Sequence, residues 1–194
     1  FQYEKKLSEY CISHGTSKVS CVIAAGEEVL SGYTFPIVPY LIFEMATGDI
    51  RQKLQYSNAL DFAWKLKSLH DIAVGIKQLH SINVSHQDIK PSNVLLFNTE
   101  SKIGDLGRSM CPTLHGPYDE MPFSGDNTYA PPEVWFNSHI HLEWHERNYA
   151  IDCYLLGSLI TYYITGLCMT ALLQAEINLT WRGRNMDKLK EYLQ

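Results

Sequence analysis

Three oxygen-bearing side chains stand out by type and spacing. Asp88 and Asn93 share the run His86-Gln87-Asp88-Ile89-Lys90-Pro91-Ser92-Asn93, and Asp105 follows twelve residues after Asn93 in Asp105-Leu106-Gly107. Between them lie an apolar strand, Val94-Leu95-Leu96, a polar turn, Asn98-Thr99-Glu100-Ser101, and a second short strand from Lys102. A hairpin built this way returns Asp105 to the end where Asn93 sits. One amide oxygen and one carboxylate then converge with Asp88. Hard oxygen donors of this kind suit Mg²⁺, which keeps several waters and completes its shell with phosphate oxygens. Lys90 adds a cation to the same loop. If no ion is held, the same residue types cap turns.

The elements that must position this loop are legible on either side. Upstream, residues 60–80 are helix-periodic. Phe62, Leu66, Leu69, Ile72, Ala73, Ile76 and Leu79 recur at threes and fours, which predicts a helix with that face in the core. Residues 1–14 read as a further helix and 15–43 as short strands and turns. Val19 to Ala25 is one expected strand, Gly26-Glu27-Glu28 its turn, and Tyr40-Leu41-Ile42-Phe43 a second strand. Asp49 to Leu54 begins a short helix. Downstream, residues 107–133 are rich in Gly, Pro, Ser and Asp and show little periodicity. A loop of that length inside a domain is usually functional. Helices dominate thereafter. Residues 153–173 carry no charge, yet hold several Ser, Thr and Tyr, which fits a buried central helix better than a membrane span.

Composition sets outer limits. At 194 residues with 45% apolar content, the chain is long enough for one core. Its net charge of −5 argues against nucleic-acid binding through a broad basic face. Five scattered cysteines, an odd number, suggest reduced thiols and a cytoplasmic setting.

The ordered set of motifs resembles the protein kinase family, whose loop reads His-Arg-Asp with an Asn five residues on, then Asp-Phe-Gly, then Ala-Pro-Glu. Here these are His86-Gln87-Asp88 with Asn93, Asp105-Leu106-Gly107, and Pro131-Pro132-Glu133. The resemblance implies an α+β fold: a partial small lobe of strands plus one helix, then a mainly helical large lobe. Residues 1–43 would belong to the small lobe, 44–49 to the hinge and 50–194 to the large lobe. It also implies ATP and Mg²⁺ as cofactors and a protein substrate phosphorylated on Ser or Thr. Asp88 would accept the proton of the substrate hydroxyl, and Lys90 would reach the γ-phosphate. Asn93 and Asp105 would hold the metal. The backbone of Glu44 and Met45 would bind adenine, with Phe43 behind it and Leu95 beneath it. Asp49 would meet the ribose, or simply cap the helix that follows it. Glu4 would be the helix acid that pairs with a strand lysine. Asp152 would open the buried central helix.

Several residues depart from that pattern. Gln87 replaces an arginine that ordinarily pairs with a phosphate on the long loop, so control by that phosphate is not expected. Asp126 stands where many members carry Thr. A carboxylate so near Asp88 costs energy unless Lys90 or water screens it. Ser8, four residues after Glu4, stands where an apolar residue is expected. Neither a Gly-rich phosphate loop nor the strand lysine occurs in this chain, which the resemblance reads as truncation at both ends. The alternatives are a pseudokinase acting as an interaction module and a small-molecule phosphotransferase. A zinc site at His139, His141 and His145 is a weaker alternative.

Overall fold

The computed structural model describes residues 1–55, 61–135 and 141–177. Helix α1 (Gln2–Ser13) leads into β1 (Val22–Val29) and β2 (Ile37–Phe43), which pair antiparallel. A second sheet has the order β3-β4-β5, from Gly48–Asp49, Val94–Leu96 and Ser101–Ile103. Helices α2 (Ile50–Gln55), α3 (Phe62–Ser81), α4 (Pro132–Trp135), α5 (Trp144–Thr165) and α6 (Met169–Ile177) complete the described residues. The α+β architecture is the one expected, with few strands early and helices late.

Two details of the first hairpin differ from expectation. Gly26, Glu27 and Glu28 do not turn; they lie within β1, opposite Tyr40, Pro39 and Val38. Gly26 is there because the Tyr40 ring crosses it, and a Cβ would collide with the phenol. The reversal falls later, where Leu30 N–H donates to the Pro36 carbonyl at 2.7 Å and Gly32 takes φ +91°. Residues 18–20 leave the β1 line as well. The Ile103 N–H donates to the Lys18 carbonyl and the Ser20 N–H to the Ile103 carbonyl, at 3.0 and 2.8 Å.

Helix α3 carries the centre of the core, on a face shifted from the one its apolar periodicity picks out. Ile72, Ile76 and Leu79 are buried as expected, but Phe62 is 64% exposed and Leu66 51%. The buried face begins instead with Ser68 and Asp71. These polar residues are satisfied there. Ser68 Oγ lies 2.6 Å from Ser101 Oγ and 2.8 Å from the Tyr163 hydroxyl. Asp71 accepts from Lys67 at 2.8 Å and from the Ser101 N–H at 3.1 Å, and pairs with Lys18 at 3.0 Å. Hydrophobicity cannot register a face whose first turn is held by hydrogen bonds.

Burial alone would raise the Asp71 carboxyl, but Lys67, Lys18 and the Ser101 N–H hold it below its ordinary 3.8. A carboxylate depressed in the folded state stabilises fully above the unfolded pKa and loses that effect as pH falls through the folded one. Asp71→Asn is therefore expected to cost roughly 1–3 kcal/mol near neutral pH. Urea melts should show the gap to wild type at neutral pH narrowing at a pH below the ordinary 3.8. A gap that is the same at both pH values would show that the charge of Asp71 is not what stabilises.

The uncharged stretch divides between two helices. Gly166, at φ +78°, ends α5 and the chain turns into α6. Ile151, Leu155, Leu159 and Tyr163 of α5 are buried, whereas Ile160 and Ile164 face outward. No single helix among the described residues is long and apolar enough to cross a membrane. Thr170, fully buried on α6, donates to the Tyr129 carbonyl at 3.0 Å and so ties the long loop to these helices.

Candidate active site

The β4–β5 hairpin does what its spacing requires. Val94 pairs with Ile103 and Leu96 with Ser101. The Gly104 N–H then donates to the Asn93 carbonyl at 2.8 Å, so Asp105 emerges beside Asn93. Asp105 takes a left-handed backbone, φ +63°, and its Oδ1 accepts from the Gly107 N–H at 3.3 Å.

The loop before β4 is clamped from behind by Asp152, which is fully buried on α5. Its Oδ2 accepts from the His86 N–H at 2.8 Å, the Ser85 hydroxyl at 2.9 Å and His80 Nε2 at 2.9 Å. Its Oδ1 accepts from the Gln87 N–H at 2.8 Å. The sequence places Asp152 at the head of the central helix, but α5 begins eight residues earlier, at Trp144, and Asp152 clamps the loop from within it. The signal was present: a charge immediately before a long uncharged run is an anomaly that burial must explain. His86 adds a second brace. Its Nδ1 accepts from the Asp88 N–H at 3.2 Å, and its Nε2 faces the Gly104 carbonyl at 2.9 Å. Those partners fix the tautomer with the proton on Nε2.

Asp88, held in this way, is buried, and both of its oxygens are engaged. Oδ1 accepts from the Asp126 N–H at 3.1 Å; Oδ2 accepts from Asn93 Nδ2 at 3.1 Å and pairs with Lys90 Nζ at 2.9 Å. Asn93 Nδ2 also donates to the Asp88 carbonyl at 2.9 Å, so the amide oxygen, which accepts from the Ser92 hydroxyl at 3.3 Å, is the atom with a lone pair left to offer. Lys90 Nζ lies 3.5 Å from Asp126 Oδ2 as well, so lysine does screen the two carboxylates from each other.

One cleft of about 440 Å³ gathers the remaining residues: Glu4, Phe43, Glu44, Met45, Asp49, Leu95, Asn93 and Asp105 all line it. These come from α1, β2, β3, β4 and the two loops, so the site exists only once the chain has folded. Glu4 lies beside Gly107; burial, then the negative charge of Asp105, pushes its carboxyl above the ordinary range. Among the described residues, no lysine pairs with it. Ser8 is buried after all, and its hydroxyl accepts from the Val22 N–H at 3.2 Å, which explains a polar residue there. Asp49 Oδ1 accepts from the Gln52 N–H at 2.9 Å and Oδ2 from Arg51 at 3.2 Å. It therefore caps α2 while also lining the cleft. Glu44 pairs with Lys102 at 2.8 Å.

The Gln87 side chain makes its hydrogen bonds to Ser85 and Asn148, not to the long loop. It is buried at φ +67°, and its Nε2 donates to Ser85 Oγ at 2.7 Å and to the Asn148 carbonyl at 3.4 Å. Gly125 of the long loop packs so closely on the Gln87 carbonyl that any Cβ would collide with it. The zinc alternative gains nothing. His139 lies outside the described residues, His145 Nε2 is 3.0 Å from Asn83 Oδ1, and no group that could hold a metal through His, Cys, Asp or Glu alone occurs among the described residues.

Comparison with known proteins agrees with this geometry. The family model described as "Protein kinase domain" matches residues 28–189. An Aurora kinase of Debaryomyces hansenii is 27% identical over 66% of this chain and 30% of its own length. Mitogen-activated protein kinase 5 of Arabidopsis thaliana is 31% identical over 65% of this chain and 32% of its own. A Wee1-like protein kinase of Oryza sativa subsp. japonica is 29% identical over 65% of this chain and 22% of its own. The chain spans about a third of the length of the first relatives it matches.

Proposed function

Because the chain belongs to the protein kinase family, we propose that the protein carrying it transfers the γ-phosphate of ATP to Ser and Thr hydroxyls of a protein substrate. The observation that carries this reading is the convergence of eight residues from five stretches of the chain on one cleft, with Asp88 and Lys90 joined to it through Asn93. The cleft volume lies in the range of small-ligand sites. Its donors fit a nucleotide with a hard cation. Apolar Phe43, Met45 and Leu95 line it together with the oxygens of Asn93 and Asp105.

In this reading Asn93 and Asp105 would hold Mg²⁺, and the backbone of Glu44 and Met45 would bind adenine, with Phe43 behind it and Leu95 beneath it. Bound Mg²⁺ offsets charge on the transferring phosphoryl group. Asp88 accepts the proton of the acceptor hydroxyl at its carboxylate. Lys90, already 2.9 Å from Asp88, neutralises charge on the phosphate side. A lysine two residues after the proton acceptor supports the choice of Ser and Thr. We assign residues 1–43 to the small lobe, 44–49 to the hinge and the remainder to the large lobe. Glu4 would meet a lysine supplied from outside this chain.

The test uses the full-length protein with γ-labelled ATP, Mg²⁺ and a degenerate peptide mixture. Label is expected on Ser and Thr peptides. Label confined to Tyr peptides would overturn the acceptor assignment. A protein that neither binds Mg·ATP by calorimetry nor labels any peptide would overturn the whole reading.

A further inference from the structure

Two cysteines ten residues apart in the sequence meet in the fold, and neither lines the cleft. Cys11 lies on the buried face of α1 with Leu7 and Ser8 and is fully buried. Cys21 directly precedes β1, is half-buried and packs against the same core. Both are free thiols, and they hydrogen-bond to each other. The backbone around them is already tied. One helical turn before Cys11, Ser8 Oγ accepts at 3.2 Å from the N–H of Val22, the residue after Cys21. Thr16 closes the other side. Its N–H and its hydroxyl donate to the Cys11 carbonyl at 3.2 and 3.1 Å, and its Oγ1 lies 4.0 Å from Cys21 Sγ.

The two thiols differ in a way that suits successive steps. The hydrogen bond from Cys11 holds the Cys21 thiol below its ordinary 9.0; burial opposes this, and Thr16 and the Lys102 charge assist it. The same bond, followed by burial, pushes the Cys11 thiol up. The thiolate is the nucleophile, so the partly exposed sulfur is also the more reactive of the pair. Cys153 offers a contrast. It is more open to solvent, yet loss of water around its sulfur and then the Asp152 charge raise its thiol.

We propose that Cys21 and Cys11 form a dithiol oxidised by hydrogen peroxide, whose disulfide fastens α1 to the start of β1. The Cys21 thiolate attacks one peroxide oxygen. An S–O bond forms, the O–O bond breaks, and the other oxygen takes a proton and leaves as water. The Cys11 sulfur then attacks the Cys21 sulfur. The S–S bond forms, the S–O bond breaks, and the hydroxyl leaves as a second water with the Cys11 proton. The sulfurs lose two electrons in all, and both peroxide oxygens end as water. A thiol reductant reopens the bridge. The bond encloses residues 12–20, and the helix it fastens is the one that carries Glu4 to the cleft. Neither step uses the cleft or a nucleotide.

The test uses reduced full-length wild type, Cys11→Ser and Cys21→Ser, with thermal melts to confirm folding. Hydrogen peroxide is added, remaining thiols are blocked with N-ethylmaleimide, and a tryptic digest is read by mass spectrometry without reductant. Trypsin cuts after Lys18, so the bridge joins peptide 7–18 to peptide 19–51, and a reductant separates them. The linked pair is expected in wild type, forming about tenfold faster than Cys153 oxidises. In Cys11→Ser, dimedone should trap a sulfenic acid on Cys21; in Cys21→Ser, Cys11 should stay reduced. Oxidised wild type is expected to melt roughly 5 °C above the reduced protein, a shift absent from Cys21→Ser. The wild-type digest and melt decide the matter without either variant. No linked pair while Cys153 oxidises would overturn the dithiol. A bridge from Cys11 to Cys111, the buried third thiol nearby, would overturn the pairing. A linked pair with an unchanged Tm would overturn the fastening of α1.

Discussion

Asp88→Asn in the full-length protein is expected to lower turnover about 10²- to 10⁴-fold while Mg·ATP still binds. The amide keeps the size of the side chain and one acceptor oxygen, so one of the two donors, the Asp126 N–H or the Asn93 amide, keeps its acceptor there. What is lost is the capacity to take a proton and the charge that holds Lys90 at 2.9 Å. The metal-holding atoms assigned to Asn93 and Asp105 are untouched, which is why binding and turnover should separate. Calorimetry with Mg·ATP and single-turnover transfer measure the two halves. Turnover within threefold of wild type would remove Asp88 from the proton step. Loss of nucleotide binding together with turnover would mean that the substitution had collapsed the loop.

Asp152→Ala should have the largest effect on stability. Four donors converge on this carboxylate: two backbone N–H groups of the loop, the Ser85 hydroxyl and His80. Asp152 is fully buried, so water has no ready route to replace it. Leaving such donors without an acceptor is expected to cost about 3–5 kcal/mol. For a domain of this size that is a drop in Tm on the order of 10 °C. Asp152→Asn keeps one acceptor oxygen and should fall between the two. Phosphoryl transfer should fall with either change, since His86 and Gln87 precede Asp88 directly. A Tm within about 2 °C of wild type for Asp152→Ala would show that water or a shifted loop satisfies those N–H groups.

The parts that were legible in advance share one property: their partners are close in sequence. The β4–β5 hairpin joins residues five to nine apart, so strand, turn and strand could be read as one unit and Asp105 placed beside Asn93. The helices at residues 1–14 and 60–80 were likewise legible, because their periodicity is local. The face of α3 was misjudged for the opposite reason. Ser68 and Asp71 are buried through Tyr163, Ser101 and Lys18, partners 30 to 95 positions away. The turn assigned to Gly26 failed because the glycine answers to Tyr40 on the next strand.

The sequence by itself singled out the residues proposed to carry the chemistry, since Asp88, Lys90, Asn93 and Asp105 occur in one local run with one hairpin after it. Only the tertiary structure decided what holds them. Asp152 lies 64 residues beyond Asp88, Asp126 lies 38 beyond it, and Glu4 lies 84 before it. No local pattern links positions that far apart. Burial and hydrogen-bond satisfaction select those contacts, and both are properties of the packed molecule.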